Sequence, residues 1–473
     1  AKVDASDVYD GAKRVTLKPS AGLNAYASYR LIVDSGLKSA AGEAILTGKV
    51  IRIRTGLDTS DKFPQISDEE LLTKVQQQTF RYFWEGAEPT SGMARERTSS
   101  GATVTTGGTG FGVMAMTVAA ERGFVTRSEA CQRVQRIVTF LAERATSYHG
   151  AFSHWIDGQT GQTLPFSADD NGADLVETGL LFQGLLTARA YFDGADAAES
   201  KLRADITALW EAVEWDFFTK EGTEKVLYWH WSPDKGWAMN MPIQGWNEAL
   251  IVYVLAASSP THPIGREVYA EGWARGGAMR NGKLFYDTVL PLGEDYGGPL
   301  FWAQYSFLGL NPRGLSDAYA DYWEQVCNHT RINYAYCVDN PKGYAGYGAD
   351  CWGLTASDIP DGYTASSPTN DRGVIAPTAA LSSMPYTPDE SMAALRFFYY
   401  KLGDKLWSDY GFIDAFDLTT GWFDRGMHIA IDQGPIVVMI ENYRTGLPWN
   451  LFMSDKDVQR GLAELGFTVE AGS

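Results

Sequence analysis

The feature that most narrows the fold is that the helical stretches of this chain come in two kinds. Residues 127–146 carry Val134, Ile137, Val138 and Leu141 at i, i+3, i+4 and i+7, one apolar stripe on an otherwise polar helix. Residues 174–192 and 243–257 are apolar nearly all round, which means burial on every side. The first kind suits an outer layer and the second an inner one. Their alternation predicts a mainly α chain folded as a double ring of helices, an (α/α)6 toroid. An irregular helical bundle is the alternative that the pattern leaves open.

Boundary signals fill in the pattern. Ser67 is followed three residues later by Glu70, a capping box, with Ile66 and Leu71 placed to staple the entry. Thr126 and Glu129 repeat the signal. Thr387-Pro388-Asp389-Glu390 puts Pro at a first helical position, and Gly403 is expected to close that helix. About a dozen helical segments follow, joined by long loops rich in Gly, Trp and Tyr. Residues 1–60 read differently. Val15-Thr16-Leu17, Tyr29-Arg30-Leu31-Ile32-Val33 and Lys49-Val50-Ile51-Arg52-Ile53-Arg54 are short β-branched runs between turn residues. The chain thus divides into a small β segment, 1–60, and a helical domain, 61–473.

The net charge of −18 works against polyanionic partners, whether nucleic acid or an anionic membrane face, and suits a neutral substrate. No run of about 18 apolar residues is present, so no membrane span is expected. The chain opens at Ala1 without a signal peptide, as a mature or trimmed product would. It holds 15 Trp and 24 Tyr; most of those rings must be core, but flat rings are also what a sugar-binding cleft lays against a pyranose. Cys131, Cys327, Cys337 and Cys351 show no CxxC or CxxH spacing, which disfavours zinc. Cys337 and Cys351 flank a Gly- and Tyr-rich loop, where pairing and free thiols are both open.

Three carboxylate groups stand where loops enter apolar helices. Asp169-Asp170-Asn171-Gly172-Ala173-Asp174-Leu175-Val176-Glu177 runs into the first buried helix, with Asp174 and Glu177 on one face of its first turn. Capping would explain one acid there, but not several. Glu248, in Gly245-Trp246-Asn247-Glu248, opens a second helix that carries no other charge. Desolvation there raises a carboxyl pKa, which a general acid needs; a solvated first-turn acid is the bland alternative. Asp432 precedes Gly434-Pro435 and an apolar run, so it is expected just ahead of a helix N-terminus, where the dipole favours the ionised form a general base requires. It is equally readable as an Asp holding its own loop. The glycine-rich 107–112 lacks a preceding strand and a P-loop lysine, which disfavours phosphate binding. His154, beside Trp155, is the histidine best placed to meet a ligand. Trp231, Trp237, Trp302, Tyr305, Trp352 and Tyr386 fall in loop-like stretches and are the candidate rings of an open groove.

Several long segments carry a family resemblance. They are TFRYFW (79–84), TTGGTGFG (105–112), LYWHWSPDKGW (227–237), GWNEALIVYVLAASSPTHPI (245–264), GGPLFWAQYSFLGL (297–310), YGADCWGLTASD (347–358), PTAALSSMPYTPDES (377–391) and AIDQGPIVVMIENYRTGL (430–447). From about Ser67 to Phe467 the chain resembles glycoside hydrolase family 144, the glycoamylase-like bacterial endo-β-1,2-glucanases. The β segment is similar to the last strands of a bacterial Ig-like module. The resemblance implies an (α/α)6 toroid, a periplasmic or extracellular setting, no metal or other cofactor and an inverting mechanism. By position it implies Glu248 as the acid and Asp432 as its partner, with Asp170, Asp174 and Glu177 in the cleft. Asp358 joins the substrate-binding set through the motif it ends. The expected activity is endo-hydrolysis of β-1,2-glucan to sophorose-type oligosaccharides. The alternative is an exo-acting or transglycosylating relative, or a hydrolase of another glucan. A glycan-binding protein without activity would tolerate loss of either carboxylate, and both are present.

Overall fold

The computed structural model describes residues 47–470 without interruption and, ahead of them, 8–9, 14–15, 19, 21–23, 27–39 and 41–44. Ser28–Val33 pairs antiparallel with Lys49–Arg54, and Arg14–Val15 with Val8–Tyr9. The expected strand at Val15-Thr16-Leu17 is therefore seen only at its first residue, since Thr16 and Leu17 lie outside the described residues. Lys49–Arg54 is exposed along its whole length.

The helices are α1 (Asp68–Trp84), α2 (Thr106–Glu121), α3 (Arg127–Glu143), α4 (Leu175–Tyr191), α5 (Ala197–Glu211), α6 (Leu250–Ser258), α7 (Tyr322–Asp339), α8 (Pro377–Leu381), α9 (Pro388–Arg396), α10 (Gly403–Leu406), α11 (Ala430–Arg444), α12 (Leu447–Met453) and α13 (Lys456–Leu465). The inner ring runs α2, α4, α6, two 3-10 turns at Leu300–Ala303 and Tyr305–Phe307, α8 and α11, which packs back on α2. Outside it stand α1, α3, α5, a π turn at Val268–Trp273, α7 and α9. This is an (α/α)6 toroid. Its fourth inner position is not a full helix. Gln304 secures it instead, donating from Nε2 to the Ala379 carbonyl at 3.0 Å and to Ser383 Oγ at 2.9 Å.

Both capping boxes form, Ser67 with Glu70 ahead of α1 and Thr126 with Glu129 ahead of α3. The glycine-rich stretch is the first turns of α2, and close packing is its reason. A Cβ on Gly110 would lie 2.3 Å from the Leu180 carbonyl of α4, and one on Gly184 only 2.1 Å from the Gly110 carbonyl. Two backbones meet there with no room for a side chain.

Three boundaries differ from expectation. Gly403 does not close α9; the helix widens into a π turn at Phe397–Lys401, and Gly403 starts α10 with the Phe63 ring pressed against its Cα. The second apolar helix begins at Leu250 rather than 243, because Asn247 Oδ1 takes the Ala249 amide at 3.0 Å and Ser306 Oγ takes the Ile251 amide at 3.0 Å. Asp432 lies inside α11 rather than before it, and Pro435 sits in the helix interior. All four cysteines are free, buried thiols, so Cys337 and Cys351 do not pair. Among the described residues no helix is long and apolar enough to cross a membrane.

Candidate active site

The inner helices begin around a cavity of about 400 Å³. Thr105 precedes α2, Val176 and Glu177 lie in the first turn of α4, Glu248 precedes α6, and Ile429 and Ile431 flank the start of α11; all line it. Helix N-termini thus converge on one space, which favours negative charge there. The cavity is partly aromatic, with Trp155, Phe166, Trp229, Phe301, Tyr305 and Tyr363 on its walls.

On one side stands a cluster of acids around a histidine. Asp174 caps α4, its Oδ1 accepting the Glu177 amide at 2.9 Å, and its Oδ2 accepts from Trp229 Nε1 at 3.3 Å. The capping role and a site role therefore coexist in one side chain. His154 Nδ1 lies 3.2 Å from Asp174 and 3.7 Å from Asp170, and its Nε2 lies 3.8 Å from Glu177. The ring stacks on Phe166 at 4.2 Å. Burial alone would lower the histidine's pKa, but Glu177, Asp170 and Asp174 together hold it well above the usual value. Glu177 accepts from the Gly107 amide at 2.6 Å and from Thr105 Oγ1 at 3.2 Å. Its own pKa is raised by burial and by Asp174, against the pull of His154.

Glu248 occupies a turn fixed from below. Ser306 donates to its backbone carbonyl, and the Gly245 amide donates to Trp273 O at 3.0 Å. Burial, with Asp174 and Glu177 nearby, pushes its carboxyl up to about 7 against the contact with its own backbone amide. A carboxyl that stays protonated to neutrality and faces a cavity is equipped to donate a proton.

Asp432 is 2% exposed and is not on the cavity wall. It lies beside Tyr305 and Tyr363, which are, and within hydrogen-bond reach of the Asp414 carboxyl. The expectation of an ionised Asp432 is corrected here. Burial, then Asp414 and Asp358, raise its pKa well above the ordinary carboxylate value. Two carboxyls in contact inside a protein outweigh the pull of one helix terminus. Asp358 takes two contacts from Arg97 Nη1, at 2.8 and 3.0 Å, and Arg97 Nε reaches Glu96 at 2.9 Å.

Among the candidate rings, the structure brings only Tyr305 to this cavity. Trp352 is fully buried and donates to the Glu390 carbonyl, and Tyr386 is buried with its hydroxyl on the Ala303 carbonyl; both are core. Trp231 and Trp237 pack around Phe217, and Trp302 lies under Gly298 and against Phe301. Loop residence misled for Trp352 and Tyr386 because the long loops are themselves packed, whereas Trp231, Trp237 and Trp302 are half-buried. Arg97, Glu96, Phe166 and Tyr363 were not anticipated. Trp155 beside His154, and Trp229 and Phe301 within the resembling segments, carried a signal that could have found them.

Among the described residues two groups bring ligand-type atoms within 4.8 Å of one another: His154 with Asp170 and Asp174, and Asp358 with Asp414 and Asp424. The first holds its own cation in His154.

The Glycoamylase family model matches residues 240–456. An endo-β-1,2-glucanase structure from Chitinophaga pinensis, in complex with sophorotriose and glucose, is 51% identical, covers 85% of this chain and 99% of its own, and has a TM-score of 0.83. The chain belongs to glycoside hydrolase family 144. An exo-β-1,2-glucooligosaccharide sophorohydrolase (non-reducing end) from Parabacteroides distasonis is 48% identical over 421 residues, 85% of this chain; the chain spans 58% of that relative's length. The endo-β-1,2-glucanase of Talaromyces funiculosus with sophorose shares only 13% identity, over 85% of this chain and 92% of its own, yet has a TM-score of 0.60, so the fold is common to both.

Proposed function

We propose that this family 144 chain hydrolyses β-1,2-glucan, cutting within the chain and inverting the anomeric centre. The observation that carries the reading is Glu248, a carboxyl raised to about 7 on the wall of an aromatic cavity. Glu248 gives its proton to the leaving glycosidic oxygen. Asp432, once it has lost its own proton, takes one from the attacking water, acting past Tyr305 and Tyr363. The Asp174–His154–Glu177 group binds hydroxyls of the sugar beside the scissile bond. Two relatives named for β-1,2-linked substrates support the linkage. Endo action is favoured because the endo-glucanase of C. pinensis is 51% identical and matched over 99% of its length.

Chromatography of products from β-1,2-, β-1,3-, β-1,4- and α-1,4-glucans tests this directly. A ladder of β-1,2-linked oligosaccharides is expected, and polarimetry of fresh product should show the α-anomer. Sophorose as the sole early product would mean exo action, and a retained anomer would remove the inverting scheme.

A further inference from the structure

The buried acids around Asp432 do more than surround it. Asp358, Asp414 and Asp424 hold their carboxyl oxygens within 4.8 Å of one another, and Asp414 is within hydrogen-bond reach of Asp432. Asp414 Oδ2 accepts the Asp358 amide at 2.7 Å, which fixes its plane. The opposite oxygen, Asp414 Oδ1, is buried without a donor, and so are Asp432 Oδ2 and Asp424 Oδ2. Carboxylates cannot donate to one another, so contacts among them are attractive only when a proton is shared. Arg97 grips Asp358 and sets a fixed positive charge beside the group. The other titratable neighbours are Glu96 on Arg97 and the hydroxyls of Tyr305 and Tyr363. The far end of the row reaches solvent: Asp424 is half-buried and, with Asp358 and Trp422, lines a second surface hollow that shares Arg97 and Tyr363 with the cavity.

We propose that Asp414 and Asp424 form a proton exit from Asp432 to this second hollow. The inference rests on Asp432 being the base. In each turnover Asp432 takes one proton from water as the water oxygen bonds to the anomeric carbon, and Glu248 gives one proton to the departing oxygen. Asp432 ends protonated and Glu248 ionised, so one proton must leave and another must arrive before the next cycle. A substrate filling the cavity blocks return through that side. The exit passes the proton from Asp432 to Asp414, then to Asp424 and to solvent; Asp358, fixed by Arg97, positions Asp414 through its amide and lies within hydrogen-bond reach of the Asp424 carboxyl. A gap of up to 4.8 Å is closed by direct contact or by one bridging water. The raised pKa values of Asp414 and Asp424, each to about 7, match a group that takes and releases a proton near neutrality.

Asp424→Asn is the test, because Asp424 is the outermost member and the least buried. We expect kcat to fall by about tenfold with KM and melting temperature unchanged, and added imidazole buffer to restore the rate in a saturable way. A larger solvent deuterium isotope effect on kcat should accompany the loss. Unchanged kcat, or a loss that imidazole does not relieve, overturns the exit. Asp432→Asn separates this from the base assignment: if that variant keeps its turnover, the base reading fails on its own. Calcium chloride is the remaining arm. A calcium-dependent rise in melting temperature in the wild type that Asp424→Asn abolishes would make the trio a cation site and overturn the exit, because a bound cation holds the carboxylates ionised.

Discussion

His154 places its Nδ1 3.2 Å from Asp174 Oδ2, while the other oxygen of Asp174 caps α4. One carboxylate therefore ties the start of an inner helix to the cation of the cavity. Removing that cation leaves Asp170, Asp174 and Glu177 facing one another without compensation.

The pH dependence follows with a definite sign. The folded pKa of His154 lies well above the ordinary 6.5, so its stabilising share is fully present below about 6.5 and is lost as pH rises through the raised value. His154→Gln should melt below the wild type by a constant margin at pH 5–6, about the lower end of the range, and the margin should shrink in alkaline buffer. Imidazole NMR signals in the wild type should show His154 titrating above the ordinary 6.5. A ring that titrates near 6.5 would remove the ionic account.

The aromatic positions separate core from cavity. Trp352→Ala should cost about 3–5 kcal/mol of stability, measured by denaturant unfolding, with KM of the folded fraction unchanged. Phe166 is half-exposed on the cavity wall and stacks on His154. Phe166→Ala should raise KM several-fold, by about 1 kcal/mol of lost ring contact, and shift the melting temperature little. The opposite pattern would exchange the two roles.

These pairs also show what the sequence could and could not tell. The inner helices were legible because no solvated helix is apolar on every face, and Ser67 and Thr126 were legible because a cap and its partner are three residues apart. Asp174, Glu177 and Glu248 came from the same logic, acids at the doors of apolar helices, and they do line or adjoin one cavity. Trp352 and Tyr386 did not, since a loop packed into a core has the same composition as a loop over a groove. The charge state of Asp432 was out of reach for another reason. It depends on Asp414, Asp358 and Arg97, which are distant in sequence and leave no periodic trace.

The contact of Gly110 with Gly184 predicts a sharp packing limit. A methyl at residue 184 would enter the Gly110 carbonyl at 2.1 Å, where rigid helix backbone cannot give way. Gly184→Ala should therefore destabilise despite the better helix propensity of Ala, by about 1–3 kcal/mol or more, read as a lower denaturant midpoint. Because α4 also carries Glu177 into the cavity, kcat should fall with it. A midpoint at or above the wild-type value would mean that α2 and α4 can part enough to admit the methyl group.

Glu248 links chemistry and stability through one shift. A general acid works only while protonated, so kcat/KM should fall as pH rises through about 7. Glu248→Gln keeps the shape but has no transferable proton, and turnover should drop by about a hundredfold or more, with the alkaline limb of the profile gone. Stability should move the other way. A carboxyl whose pKa is raised from 4.5 to about 7 favours the folded state less and less as pH climbs between those values, because the folded chain resists the ionised form. Glu248→Gln escapes that penalty, so its melting temperature should equal or exceed the wild type at about pH 8 and gain nothing at about pH 4. A variant that is inactive yet shows the wild-type pH dependence of melting would show that Glu248 acts on the sugar without being desolvated. One that keeps near-normal turnover would pass the acid role to Glu177, the other raised carboxyl on the cavity wall.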